Sequence, residues 1–375
     1  MSRFHWTAGD MLARGACLPP VDRAVKRLTR GVAASSPRST QRGIRKAEIN
    51  RTETAMPRPL PMLACLAALA LPVEADEISL RHSFGETRLD PDSIRRIVSV
   101  GYHEQDFLYA LGLAPVGVHE WFGGHPHATG PWAEEARQAV GAEPEVQHGF
   151  EIDVEWVWGM EPDLILATFA PLDAQTYARL SEIAPVIGPP EGYSPWGAPW
   201  ETELRLIGQA TGREDRAEAV IERIDGKIAA ALEAHPQLRG LSGTSAYFNS
   251  NGQIAGFRGM EGANRLLGAL GIRTPAAFDE MVGESDRFHV SAERFDLFDL
   301  DVILWLVDPP TRQTIEALPA WRNTRAAREG RAVWASPAMM GAMSFQSPLS
   351  IEWAIEPLTR LLAAAADGDP ATEVQ

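Results

Sequence analysis

Apolar residues along this chain fall into short β-type runs alternating with stretches of helical spacing, and the alternation is written twice. The run Arg-Ile-Val-Ser-Val over 96–100 ends at Gly101 and predicts a strand. Behind Glu104, the residues Phe107, Leu108 and Leu111 recur at helical spacing, Gly112 sits where a helix cap is expected, and PVGVHEW around Val118 returns as a strand. Later, AYFNSNG, a helix through Leu266, Leu267 and Leu270, a cap at Gly271 and the run DVILWLV repeat the unit. The phrase VEWVWGMEPDLILA over 154–167 also matches AERFDLFDLDVILW over 292–305. Glu155 aligns with Glu293, Asp163 with Asp301 and Ile165 with Ile303, so each copy runs from an acid-led helix through an aspartate into an apolar strand.

Two similar α/β halves in one chain usually face each other across a cleft, which is where function is expected. Between them Ala217, Val220, Ile221, Ile224, Ile228 and Ala231 share one helical face. A helix over 213–234 would reach about 33 Å at 1.5 Å per residue, a stiff connection that disfavours large closure. A packing helix is expected over 350–361, and ISLRHSFGETRLD opens the body as a strand and turn. The halves differ in length: Leu111 to Glu155 spans 44 positions but Leu270 to Glu293 only 23, so the first half carries an insertion. It contains WFGGHPHATGPW, a Gly/Pro-rich loop whose Trp121, His125, His127 and Trp132 either fold onto the body or touch a ligand.

A chain of 375 residues with 45% hydrophobic and 23% charged content is globular, with material for two ordinary cores. Residues 1–55 hold 11 Lys/Arg against 4 Asp/Glu, whereas 76–375 hold 23 basic and 45 acidic residues. Such an acidic body repels phosphate backbones, which excludes nucleic acid as the expected partner. The two cysteines, Cys17 and Cys65, fall outside the expected mature domain and leave no disulfide framework or Cys-based metal site. From Met56 the sequence MPRPLPMLACLAALALPVEADE reads as a signal peptide, with an Arg-bearing start, a short apolar core and cleavage after Ala75. Met62-Leu-Ala-Cys65 is similar to a lipoprotein cleavage box, but most of the apolar core follows Cys65. The expected organisation is therefore a non-native or disordered extension or N-terminal arm over 1–55, a signal peptide over 56–75, an N-terminal lobe over 76–198, an interlobe helical segment over 199–238 and a C-terminal lobe over 239–375.

The elements HSFGETRL, RRIVSVGYHEQDFLYALGLAPVGV, VEWVWGMEPDLILA, PWETELRLIGQATGREDRAEAVI and SAERFDLFDLDVILW, in that order, resemble the substrate-binding proteins of iron-siderophore ABC importers. The resemblance covers nearly all of 78–366. It implies the α/β class III periplasmic binding protein fold: two Rossmann-like lobes joined by a long rigid helix. It implies an exported, periplasmic, monomeric protein that hands a ferric siderophore to a membrane permease and carries no intrinsic cofactor. Related members bind haem or cobalamin on the same scaffold, so these stay open as ligands. In this family an exposed glutamate on each lobe meets arginines of the permease, and the matching positions are Glu155 and Glu293. Each also sits in the first turn after an expected N-cap, Asp153 or Ser291, where negative charge favours the helix dipole without any partner.

A siderophore wraps its iron in its own oxygens, so the protein needs aromatic walls and a few cationic or hydroxyl donors rather than metal ligands. Candidates by position are Tyr102 and His103 after the first strand; Trp121, His125, His127 and Trp132 in the insertion; and Tyr193 and Trp196 before the crossover. In the second half they are Tyr247, Phe257, Arg258 and Arg287, with Met339, Met340 and Phe345 in a late loop. Core packing is the alternative for each aromatic. Direct metal binding would draw on His103, His119, His125, His127, His148 or His289, with His125-Pro-His127 as the suggestive spacing. An enzyme is the rival from another class, but no G-x-S-x-G elbow, phosphate-binding loop or H-E-x-x-H helix occurs, and no nucleophile and base pair is visible.

Overall fold

The computed structural model describes residues 77–193, 196–260, 262–283, 285, 287–372 and 374, so the expected signal peptide and N-terminal extension lie outside the described residues. A hairpin of β1 (Ile78–His82) and β2 (Gly85–Leu89) opens the body. The N-terminal lobe is a five-stranded parallel sheet of β3 (Ile97–Ser99), β4 (Gly117–His119), β5 (Glu145–Gln147), β6 (Leu164–Leu166) and β7 (Val186–Ile187), in the order 5-4-3-6-7. The C-terminal lobe holds β8 (Gly243–Phe248), β9 (Gln253–Phe257), β10 (Arg287–Ser291), β11 (Val302–Trp305) and β12 (Ala332–Trp334), in the order 10-9-8-11-12.

The second sheet is not a copy of the first. Here β8, β11 and β12 pair in parallel, but β9 pairs antiparallel with both β8 and β10 and so runs against the other four strands. The reason lies in Asn249–Gly252, read as the end of a strand unit but forming a hairpin turn: the Asn249 carboxamide accepts from the amides of Asn251 and Gln253, and Gly252 takes φ +72°. The strand that should answer β4 is reduced to a single bridge, Ser242 to Arg273. The acid-led helices differ too. Val154–Gly159 is α-helical, whereas Ala292–Phe298 is 3-10 with a kink at Arg294.

What is shared is the scaffold. Leu164 and Leu166 lie on one face of β6 and Ile165 on the other, and Val302/Leu304 and Ile303/Trp305 divide in the same way on β11. Both aspartates of the repeat staple the neighbouring central strand. Asp163 Oδ2 accepts the amides of Arg95 and Arg96, each at 2.9 Å, at the start of β3. Asp301 Oδ2 accepts the Ser242 amide at 3.0 Å and hydroxyl at 2.8 Å at the start of β8. Gly112 and Gly271 both cap their helices at positive φ, +77° and +86°, where a side chain would be strained.

The crossover consists of Trp200–Ala210 and the long helix Glu214–Ala234, which buries Ala217, Val220, Ile221 and Ile224. The last helix, Pro348–Ala366, passes its expected bounds at both ends: Ser347 and Ser350 form a capping box that starts it at Pro348, and the alanine run over 363–366 carries it past Leu361. It packs along the long helix, with Glu352 paired to Arg223 at 2.9 Å and to Lys227 at 2.8 Å. Each lobe keeps its own apolar cluster on one sheet face, around Val98, Val157 and Ile165 or around Phe295, Phe298 and Trp305. A third cluster runs continuously from Phe107 and Leu164 through Ile207, Ile224 and Ile355 to Leu266 and Leu304. The lobes are thus joined by a packed layer and not held apart by one rod alone, which stiffens the connection further.

Candidate ligand-binding site

Loops leaving the carboxyl ends of parallel strands are where a doubly wound sheet presents side chains to a ligand, above all where strand order reverses. Here those loops carry Tyr102 after β3, Trp121 after β4 and Phe169 after β6. Tyr102 is buried, and its ring lies nearly parallel to Trp121 at 5.7 Å and to Trp196 at 5.8 Å. Phe169 stands edge-on to both indoles, at 5.5 and 4.6 Å. The Tyr102 hydroxyl donates to the Phe150 carbonyl at 2.8 Å, and burial raises its pKa far above the ordinary tyrosine value. Trp121, Phe169 and Trp196 keep part of their surface in solvent, while Phe150 is exposed. Phe122, Phe150 and Phe169 are absent from the sequence-based candidates. Phe169 carried one usable signal, its place just after an apolar strand.

The second lobe contributes a smaller group. Pairing of β9 with β10 sets Arg287 opposite Phe257, and its guanidinium lies over that ring at 5.5 Å. Tyr247 packs edge-on against Phe257 at 5.6 Å, and its hydroxyl meets Ser344 Oγ at 3.0 Å. Arg258 donates to the Gly283 carbonyl. Ser344 belongs to the helix Pro337–Phe345, which also holds the half-buried Met340 and the buried Met339. The next residue of that helix, Phe345, reaches the other lobe, with Trp121 at 5.3 Å and Trp132 at 5.0 Å. One helix end therefore connects the two ring groups.

Beneath the rings lies a buried polar lock between the lobes. His103 meets Glu203 Oε1 at 2.8 Å through Nε2 and the Phe345 carbonyl at 2.6 Å through Nδ1. With a carbonyl and a carboxylate oxygen facing its two ring nitrogens, His103 is fully satisfied as the imidazolium. Burial alone would lower the His103 pKa, but the carboxylates of Glu203 and Glu104 raise it to about 9. Glu104 accepts the Phe169 amide at 2.9 Å, and burial raises its pKa. Asp106 accepts Trp132 Nε1 at 2.7 Å and the Ser347 hydroxyl at 2.5 Å; burial pushes it up to about 6, against the pull of those two donors.

The sequence-predicted residues divide accordingly. Tyr102, Trp121 and Trp196 come together, as do Tyr247, Phe257 and Arg287. His103, Trp132 and Phe345 are buried in the lock. The two insertion histidines separate: His127 pairs with Glu143 at 3.4 Å and His125 stands edge-on to Trp132. Tyr193 is exposed, its hydroxyl 3.4 Å from Thr202 Oγ1. Among the described residues no group of three or more His, Cys, Asp or Glu is arranged to hold a metal ion, and no helix is long and apolar enough to cross a membrane. A cavity of about 550 Å³ in the C-terminal lobe, walled by Arg312, Trp321 and Trp334, contains none of the candidates. Glu155 and Glu293 are both exposed, in first turns capped by Asp153 and Ser291.

Residues 97–337 match the periplasmic binding protein family. The chain belongs to that family. A periplasmic solute binding protein of Mycobacterium smegmatis MC2 155, known from its crystal structure, is 31% identical over 77% of this chain and 99% of its own, with a TM-score of 0.69. PiaA of Streptococcus pneumoniae TIGR4, solved in complex with ferrichrome, is 25% identical over 78% of this chain and 99% of its own, also with a TM-score of 0.69. The "Probable siderophore-binding lipoprotein YfiY" of Bacillus subtilis strain 168 is 26% identical over 151 residues, which span 40% of this chain and 43% of that relative. The two-lobed α/β fold with a helical connection is the one the sequence pattern implied.

Proposed function

We propose that this protein captures a ferric siderophore between its lobes and delivers it to the membrane permease of an ABC importer. The observation that carries the reading is the set of four rings, Tyr102, Trp121, Phe169 and Trp196, gathered at the carboxyl ends of β3, β4 and β6 and linked through Phe345 to Tyr247, Phe257 and Arg287. Flat apolar walls with a cation and phenol hydroxyls suit a bulky chelate whose outer surface mixes hydrocarbon with oxygen. The relatives named for ferrichrome and for siderophore binding support the same ligand class. Trp121, Phe169, Tyr193, Trp196, Phe257, Arg258, Arg287 and Met340 make the contacts in this reading, whereas Tyr102, His103, Trp132 and Phe345 hold the walls. Glu155 and Glu293 dock the loaded protein on the permease. The protein acts after export, cleaved behind Ala75, as a soluble monomer without a catalytic role.

Thermal melting with ferric ferrichrome, a catecholate complex, a carboxylate complex, haem and cobalamin tests the ligand class. One iron-loaded siderophore should raise the midpoint in a dose-dependent way, by several degrees at a hundredfold excess over its dissociation constant. A shift given by haem or cobalamin alone would reassign the ligand. Uptake tests delivery: Glu155→Arg with Glu293→Arg should abolish it while leaving ligand affinity intact, and equal uptake by both proteins would overturn the docking assignment.

A further inference from the structure

The two acid-led helices occupy matching places in the two lobes, yet they present different chemistry to solvent. A shift of 138 residues aligns Glu155 with Glu293, Val157 with Phe295 and Trp158 with Asp296. Val157 and Phe295 are both buried and anchor their helices in the lobe cores, and Glu155 and Glu293 are both exposed. The third pair diverges. Trp158 is 71% exposed, and its indole has no ring or hydrogen-bond partner among the described residues. Asp296 is also exposed but is ion-paired with Arg294 at 2.8 Å.

Trp158 follows Glu155 by three positions, so the indole and the carboxylate lie on the same side of the helix, one turn apart. Tryptophan is among the residues enriched at interface hot spots, and an indole this bare gains most when a partner covers it. We propose that Glu155 and Trp158 together anchor the N-terminal lobe on the permease, against an apolar hollow rimmed by a basic side chain. The C-terminal lobe makes a polar contact led by Glu293, with Asp296 already paired to Arg294. The inference rests on the docking reading above and adds to it that the two lobes make unequal contacts. Charge complementarity selects the occupant: an acidic body with a carboxylate beside the indole calls for a basic protein surface, whereas a membrane of anionic lipid would repel it.

Binding of the full-length mature protein to its importer's permease in proteoliposomes tests this, with phosphatidylethanolamine/phosphatidylglycerol vesicles lacking permease alongside. Trp158→Ala should weaken docking about thirtyfold, the fold-change of a hot-spot aromatic. Its melting temperature and affinity for ferric ferrichrome should stay unchanged, and Asp296→Ala should weaken docking less than about threefold. Three results count against the proposal in different ways. Glu155→Arg binding normally would remove the docking reading itself. Loss of docking in Glu155→Arg with Trp158→Ala within twofold of the native protein would overturn the anchor alone. Retention of the native protein, but not Trp158→Ala, on permease-free vesicles would show that the indole enters lipid and would likewise overturn it.

Discussion

The N-terminal and C-terminal lobes share a phrase of sequence but not a site. Where the phrase governs, the lobes agree: Asp163 and Asp301 staple the start of the central strand, and Leu164–Leu166 and Val302–Leu304 alternate between the joint layer and the lobe's own core. Where ligand would be met, they diverge. The first lobe uses loops after parallel strands and is rich in indole and phenyl rings. The second replaces the returning strand by a hairpin and offers Phe257 with Arg287. Duplicated sequence encodes the frame, and the ring clusters sit on loops and turns in which the two halves differ.

Four experiments would break or sharpen that contrast. The largest effect is expected at the lock between the lobes, where Glu203→Ala would leave the His103 imidazolium buried without its carboxylate and cost about 3–5 kcal/mol in denaturant unfolding. A loss under about 1 kcal/mol would contradict a charged lock. The same group sets a pH dependence. Because the folded-state pKa of His103 is raised to about 9, above the ordinary 6.5, its stabilisation is complete below about pH 6.5 and is lost as pH rises through 9. Stability should fall by on the order of 3 kcal/mol across that window, and His103→Gln should flatten the slope. An unchanged slope would show that other groups carry it.

Next come the staples. Asp301 accepts three donors, from the Ser242 amide, the Ser242 hydroxyl and Arg325, so Asp301→Ala should cost about 3 kcal/mol. Asp163 accepts two amides, and Asp163→Ala should cost about 2 kcal/mol. If only one substitution destabilises, the repeat is not a shared frame. The smallest effects belong to single rings: Trp196→Ala should weaken ligand binding about tenfold and Tyr247→Phe less than about threefold. The reverse order would move the principal wall to the second lobe.

The scaffold was legible because its signals are local. Gly112 and Gly271 end helices, Ile165 and Ile303 sit in apolar runs, and the face through Ala217 and Ile224 marks the long helix. The β8–β9 hairpin was hidden because Asn249–Gly252 reads equally as the end of a strand unit, and only the pairing of β9 with β10 brings Arg287 over Phe257. The burial of His103, Trp132 and Phe345 is not legible in the sequence, because aromatic and imidazole groups in loops carry no mark of it. Their engagement depends on Glu203 and Asp106, 100 and 26 residues away from His103 and Trp132 respectively. Phe169 is not legible as a site residue because one phenylalanine after a strand resembles any core residue.

A chelate held against the first lobe's indoles should quench them, and the direct measurement is tryptophan fluorescence on titration with ferric ferrichrome. The native protein should show saturable one-to-one quenching, and Trp121→Phe with Trp196→Phe should lose most of the signal change while melting at the same temperature. Failure of ferrichrome and of catecholate and carboxylate iron complexes to give any saturable change would contradict the account.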